Sequence, residues 1–275
     1  MFLVNRLQTW FVSAFLATIL MPTLIYAEDA VVDKILVVTE QFYPLNYTES
    51  GINNEKIVGY ATALVTDVMT NSGLDFKLII VPWTRAVNMI DNKENVIVFS
   101  MTRSPAREDK YHWIGSILPS RVYLFGLSKK FKFLPTDIDE LKNYRIGSDK
   151  RSVASSYLTK RGFTQVYNMK SQNYLKLLER GRIDLFPYIG FSVALNMQRV
   201  GTAKDKVIAV MELSELSKPL FIAASKKTKP ILIQTIKDAY QKTVDTGKFD
   251  EIMGPLQSQI EEILQVAPNP QADKI

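Results

Sequence analysis

The segment Phe99-Ser100-Met101-Thr102-Arg103-Ser104-Pro105-Ala106-Arg107-Glu108 runs from an apolar stretch into two hydroxyls, with a guanidinium five residues after Thr102. Hydroxyls beside a forked guanidinium suit recognition of a carboxylate or another planar oxyanion. The ordinary alternative is that Thr102 and Ser104 cap a following helix while Arg107 pairs at the surface with Glu108 or Asp109. The residues alone leave these two readings level.

Bond-making chemistry has less to work with. A single histidine, His112, forms no histidine cluster, and without cysteine there are no thiol nucleophiles or thiolate metal sites. No G-x-S-x-G elbow, H-E-x-x-H pair or Walker loop is present. Asp137, Asp139 and Glu140 look like paired carboxylates, but Leu134-Pro135-Thr136-Asp137-Ile138-Asp139-Glu140-Leu141-Lys142 reads better as a helix start. His112, beside Trp113, reads as a packing or surface residue. These residues call for no cofactor, no metal and no enzyme.

The elements that must position Arg107 are legible as an alternation. Ile35-Leu36-Val37-Val38, Leu78-Ile79-Ile80-Val81 and Val96-Ile97-Val98-Phe99 are short β-branched runs of the kind that form buried strands. Between the first two, Leu64, Val65, Val68 and Met69 recur at helical spacing, and Gly73 follows as a stop. Tyr144-Arg145-Ile146-Gly147 predicts another strand. Tyr174, Leu175, Leu177 and Leu178 predict a helix ended by Gly181. Ile183-Asp184-Leu185-Phe186, Val207-Ile208-Ala209-Val210 and Leu220-Phe221-Ile222-Ala223 predict three more strands. Leu232, Ile236, Ala239 and Tyr240 share the face of a last helix. This order predicts open, largely parallel sheets with helices packed on them. Such sheets bind ligands beyond the carboxyl ends of their strands, which here are Thr39 to Tyr47, Ser100 to Arg107 and Gly147 to Ser155.

Composition narrows the class. With 275 residues, 47 % of them hydrophobic and 23 % charged, the chain can bury a core in one large domain or two lobes. Residues 1–27 hold one charge, Arg6, then an apolar stretch from Trp10 to Leu20 and a small residue, Ala27, before Glu28-Asp29. That order predicts a secretory signal peptide cleaved after Ala27. The apolar stretch is short for a spanning helix, and Pro22 interrupts it. Lys and Arg number 34 against 28 Asp and Glu, and they are scattered rather than interleaved with aromatics in a stripe. A nucleic-acid partner is therefore not expected.

Along nearly its whole mature length the chain resembles the bacterial extracellular solute-binding proteins of family 3, the polar amino-acid-binding type. The resemblance is carried by Tyr43-Pro44-Leu45, Gly59-Tyr60, Pro82-Trp83-Thr84-Arg85-Ala86 and Phe99 through Trp113. It continues with Arg145-Ile146-Gly147, Gly181-Arg182-Ile183-Asp184 and Pro219-Leu220-Phe221-Ile222-Ala223. It implies a type II periplasmic-binding-protein fold: two α/β lobes, each an open mixed sheet flanked by helices, joined by two crossover strands. The first lobe is expected from residues 28–120 plus 220–275 and the second from 121–219. The resemblance makes Arg107 the anchor of a ligand carboxylate, Ser100 and Thr102 the polar loop beside it, and Tyr43 part of the aromatic wall. It sets Arg151 and Ser152 at a helix N-terminus that donates backbone N–H groups. Trp83 and Tyr188 are expected as stacking surfaces, with plain core packing the alternative for Trp83.

Two departures bear on the ligand. The family's amino-acid binders carry an acidic residue a few positions after the G-R-I-D strand, whereas Leu185-Phe186-Pro187-Tyr188-Ile189-Gly190 has none. Arg151 stands where glycine is usual. Both changes favour an anionic, weakly basic or aromatic ligand over a standard α-amino acid. The expected protein is a monomeric periplasmic receptor that closes on a small polar solute and presents it to an ABC permease or, alternatively, to a membrane sensor. A cyclohexadienyl-dehydratase-like enzyme on the same scaffold is the other alternative, with Glu40 as its nearest general acid.

Overall fold

The computed structural model describes residues 34–50, 55–169, 174–203 and 205–266. The predicted signal peptide and its cleavage point after Ala27 lie outside the described residues. In chain order the elements are β1 (Ile35–Thr39), β2 (Tyr47–Ser50), β3 (Glu55–Val58), α1 (Tyr60–Ser72), β4 (Phe76–Ile80), α2 (Trp83–Asn92) and β5 (Val96–Thr102). Then come β6 (Tyr111–Leu118), β7 (Val122–Leu127), β8 (Ile146–Ser148), α3 (Val153–Lys160), β9 (Val166–Asn168) and α4 (Tyr174–Glu179). The chain continues with β10 (Leu185–Ile189), α5 (Gly190–Arg199), β11 (Val207–Glu212), β12 (Leu220–Ser225), α6 (Pro230–Asp245) and α7 (Lys248–Val266).

Two five-stranded sheets carry the architecture, ordered β4-β1-β5-β12-β6 and β11-β7-β10-β8-β9. The expectation of largely parallel sheets needs correction: both are mixed. β1 runs parallel to β4 and β5, but β12 is antiparallel to β5 and β6, and β7 is antiparallel to β10 and β11. The cause is the path of the chain. It leaves the first sheet at Leu118, builds the second, and returns at Leu220, which pairs with Leu118 and with Thr102. The return strand therefore starts at the end where β5 and β6 stop. The two crossings lie side by side: Ser120 Oγ donates to the Lys218 carbonyl at 2.7 Å, and the Val122 N–H donates to Ser217 Oγ at 3.1 Å.

The sequence signals explain the elements that flank the sheets. On α1 the buried Ala61, Leu64, Val65, Val68 and Met69 form one apolar face against the first sheet. Gly73 ends the helix in the left-handed conformation, φ 70°, with its N–H on the Thr70 carbonyl. Asp137 caps the short helix Ile138–Leu141 in a reciprocal capping box with Glu140, as a helix start should. The sequence reading contained no α7. Gly254-Pro255 reads as a breaker, yet the helix passes through it and buries Met253 and Leu256. Gly59 holds a backbone that only glycine adopts freely, with φ 119°. A Cβ there would sit 2.4 Å from the Leu45 carbonyl oxygen, so this glycine lets the turn after β1 pack under α1.

Candidate functional site

A pocket of about 120 Å³ lies where the strand ends of the two sheets face each other. The first sheet contributes Glu40 just past β1, Ser100 and Thr102 at the end of β5, and Trp83 at the start of α2. Arg107, on the short helix Pro105–Lys110 after β5, enters beside them. From the second sheet come Ser148 and Asp149 at the end of β8, the first turn of α3, Tyr174 and Tyr188. These are the carboxyl ends to which the open-sheet rule points.

Arg107 is 8 % exposed. Its Nη1 donates to the Thr102 carbonyl at 3.1 Å and its Nη2 to the Arg151 carbonyl at 3.2 Å. Its guanidinium carbon lies 5.3 Å from the centre of the Trp83 ring, a cation–π contact. Burial pulls its pKa below the ordinary value, with Tyr111 and Asp91 pushing the other way; an arginine stays charged through such a shift. The surface pair weighed for Arg107 is made by its neighbour instead, since Arg103 Nε donates to Glu108 at 2.9 Å. Ser104 stands at the helix start without a side-chain cap.

Ser100 is buried in a left-handed backbone conformation, φ 57°. A non-glycine residue pays for that geometry in strain, a feature that gathers at functional sites. Its Oγ donates to Asn46 Oδ1 at 2.6 Å, and Asn46 Nδ2 donates to the Glu40 carbonyl at 2.6 Å. The buried Asn46 thus ties the end of β1 to the end of β5. Ser152 caps α3 by accepting from the Ser155 N–H at 3.0 Å, and its Oγ lies 3.2 Å from Ser148 Oγ. The cap leaves the first-turn groups of Val153 and Ala154 on the pocket wall.

Trp83 both packs in a core cluster with Val38, Ala86 and Met101 and lines the pocket. Its Nε1 donates to the same Arg151 carbonyl at 3.3 Å. Tyr188 meets Phe42 and Tyr174 edge to face, at centroid distances of 5.6 and 5.9 Å. Arg85 is exposed.

Tyr43 and Arg151 point elsewhere. The Tyr43 ring packs on Tyr47, with the Arg199 guanidinium carbon 4.6 Å from its centre, and its carbonyl accepts from Ser192 Oγ. Phe42, one residue earlier, supplies the aromatic wall. The Arg151 side chain is exposed and paired with Asp91, which Tyr111 holds by a 2.7 Å hydrogen bond. Its backbone is left-handed, φ 66°, which accounts physically for glycine being usual at this position. What Arg151 presents to the pocket's edge is its carbonyl oxygen.

Sequence reasoning missed Asp149, Tyr174, Phe42 and Asn46, and placed Glu40 only as a general acid of an enzyme alternative. Asp149 lies inside the strand end Gly147 to Ser155, so a signal existed. Tyr174 Oη donates to Asp149 Oδ2 at 2.9 Å, and burial pushes its phenol well above the ordinary range, keeping the donor protonated. Burial also pushes the Glu40 carboxyl well above the ordinary range; Asp149 adds to the shift and Arg107 opposes it.

The family model for bacterial extracellular solute-binding proteins, family 3, matches residues 35–255. The chain belongs to that family. No curated protein matches it in sequence. Among solved structures it is similar to an amino acid ABC transporter substrate-binding protein of Streptococcus pneumoniae bound to L-arginine. There the TM-score is 0.69 at 13 % identity, over 82 % of this chain and 95 % of that one. The arginine-, lysine-, histidine-binding protein ArtJ of Geobacillus stearothermophilus gives 0.68 at 18 % identity, over 80 % and 93 %. A histidine kinase sensor domain with similarity to periplasmic binding proteins gives 0.70 at 13 %, over 81 % and 95 %. At these identities the likeness establishes the fold, a two-lobed type II periplasmic-binding-protein fold with a mixed sheet in each lobe.

Proposed function

We propose that this family member is an exported receptor that captures a small polar solute by closing its two lobes on it. The lobes are taken as residues 28–120 with 220–275, and 121–219. The observation that carries the reading is one pocket lined from both sheets, with the buried Arg107 reaching across to the Arg151 carbonyl. A solute touching both sides favours the closed state, because only there does it gain both sets of contacts. Arg107 and the first turn of α3 serve an acidic group of the solute, Ser100 and Thr102 fix its orientation, and Trp83 and Tyr188 cover it. Tyr43 and Arg151 shape the cleft's edge rather than the contact surface. The role is binding rather than catalysis, in line with the transporter substrate-binding proteins among its structural neighbours.

The partner that reads the closed state is an ABC permease, by analogy with the same neighbours, and the compartment is the periplasm. A second reading, a ligand-binding partner of a membrane sensor, draws on the similarity to a histidine kinase sensor domain. A thermal-shift screen of purified protein against amino acids, dicarboxylates, aromatic acids and polyamines tests the receptor reading. A solute at 100 times its Kd adds roughly 2.7 kcal/mol and a visible rise in Tm. A screen in which no compound raises Tm overturns it.

A further inference from the structure

Leu185 of β10 pairs with Gly126 of β7 and Ile146 of β8, and Leu127 of β7 pairs with Val207 of β11. These residues stand in a row, so the segments just beyond them share one rim of the second sheet. The pocket lies at the other strand ends, by Val122, Ser148 and Ile189. The rim is rich in cations. Arg145 and Lys130 share the Asp184 carboxylate, and Lys206 pairs with Glu179. Lys129, Lys132, Arg180 and Arg182 are exposed and hold no ion pair among the described residues, against one further acid on these segments, Asp205. The acids that follow are taken up locally: Asp137 and Glu140 form the capping box, and Asp139 pairs with Lys142.

Phe133 stands among these charges and is 91 % exposed, the barest large apolar side chain of the described residues; Leu134 follows at 39 %. Core packing does not account for Phe133. Phe131, two residues earlier, already fills the place under the loop: it is buried, with its ring centre 5.2 Å from that of Tyr144. We propose that this rim docks the protein on an anionic phospholipid surface, with Phe133 and Leu134 entering the interface while Lys129, Lys132, Arg180 and Arg182 meet lipid phosphates. Membrane-surface elements divide the work in this way, cations drawing the protein to the headgroups and apolar side chains holding it there. A cavity of about 310 Å³ at the same rim has Lys129 and Lys206 on its wall, room for a headgroup phosphate. A projecting aromatic ringed by charge gives a protein partner little apolar area to cover, whereas a bilayer yields around it. The inference is independent of the solute reading, because the pocket lies at the opposite strand ends.

The test is sedimentation of the full chain with vesicles of phosphatidylglycerol and phosphatidylcholine in equal parts, and with vesicles of phosphatidylcholine alone. Every sample carries the same apolar stretch, Trp10 to Leu20, so differences between vesicles and between variants report the rim. Tighter binding to the anionic vesicles is expected. Raising salt from about 0.1 to 1 M contracts the Debye length from about 10 to 3 Å and should abolish that preference. Lys129→Gln and Lys132→Gln should each weaken anionic binding by about fivefold, and Phe133→Ser by about tenfold. All three should keep the wild-type Tm, because the side chains are exposed. Lys110→Gln and Lys226→Gln remove the same charge from the far end of the first sheet and should leave binding unchanged. Equal loss in these two variants would make the attraction one of net charge and overturns the proposal. Equal binding to both kinds of vesicle overturns it, as does anionic binding indifferent to Phe133→Ser. Binding to neither overturns it as well and turns the rim toward an acidic protein face.

Discussion

The Arg107 guanidinium, which grows from the end of β5, donates to the carbonyl oxygen of Arg151 ahead of α3, at 3.2 Å. The same oxygen receives the Trp83 indole N–H at 3.3 Å. One backbone acceptor beside the second sheet is therefore gripped by two side chains that flank the first, next to the pocket. The left-handed turn at Arg151 presents that oxygen, and the Asp91 pair holds the Arg151 side chain out of its way.

Arg107→Ala should lose both the cross-lobe bond and the proposed anchor. For a screening hit that bears a carboxylate, the affinity should fall by roughly 30-fold, from about 2 kcal/mol of lost charge-assisted contact. Calorimetry with wild type and variant checks this; a change under about twofold rules out the anchor.

Trp83→Phe keeps an aromatic ring over Arg107 but removes the indole donor. The proposed closed state should lose about 1 kcal/mol, one ordinary hydrogen bond. Small-angle scattering of the ligand-free protein should report a larger radius of gyration than wild type. An unchanged radius would mean that the Trp83 bond adds nothing to closure.

Gly59→Ala should destabilise the protein by about 2–3 kcal/mol, through a backbone conformation foreign to alanine and a clash with carbonyl oxygens of Pro44 and Leu45. Calorimetric Tm should fall by about 5–10 °C, at roughly 2–4 °C per kcal/mol for this size.

Asp184 sits away from the pocket, at the start of β10. It accepts from Arg145 Nη2 at 2.7 Å and from Lys130 Nζ at 2.5 Å. Burial alone would raise its pKa, but these donors outweigh burial and hold the carboxyl far below the usual range. A depressed folded-state pKa gives stability that is present above the unfolded value of about 3.9 and is lost as pH falls below it. Asp184→Asn should lower stability at pH 7 by about 2 kcal/mol, the scale of hydrogen bonds to a charged group with half-exposed partners, and flatten the acid limb of a stability–pH curve. Solute affinity at pH 7 should stay as in wild type. An acid limb of unchanged steepness would move the acid sensitivity to other groups.

Much of this was legible in the residues. The β-branched runs at Ile35, Val96, Val207 and Leu220 became strands, and the strand-end rule pointed to Ser100, Thr102, Arg107 and Ser152, all on the pocket wall. What could not be read was direction. Phe42 and Tyr43 are adjacent aromatics, and only the turn after β1 decides which faces the cleft. Arg151 carries its function in a carbonyl, which a side-chain reading cannot see. The absence of a carboxylate after the G-R-I-D strand was legible, but Glu40 and Asp149, distant in sequence, come to line one pocket only through the fold.

The crossing from Leu118 to Leu220 has a consequence for synthesis. β12 lies between β5 and β6, yet about 100 residues separate its start from the end of β6. At about 5–20 residues per second, a ribosome needs on the order of 5–20 s to supply it. Through that interval the nascent first sheet has a missing central slat, and the strand flanks that β12 will cover are open to foreign pairing. Chains stalled before Leu220 should be cut readily by protease in residues 35–118, whereas chains stalled after α7 has left the ribosome should resist. Resistance before Leu220 would mean that β5 and β6 find shelter without their partner. Until then a chaperone, or prompt passage to another compartment, has its window to act on this chain.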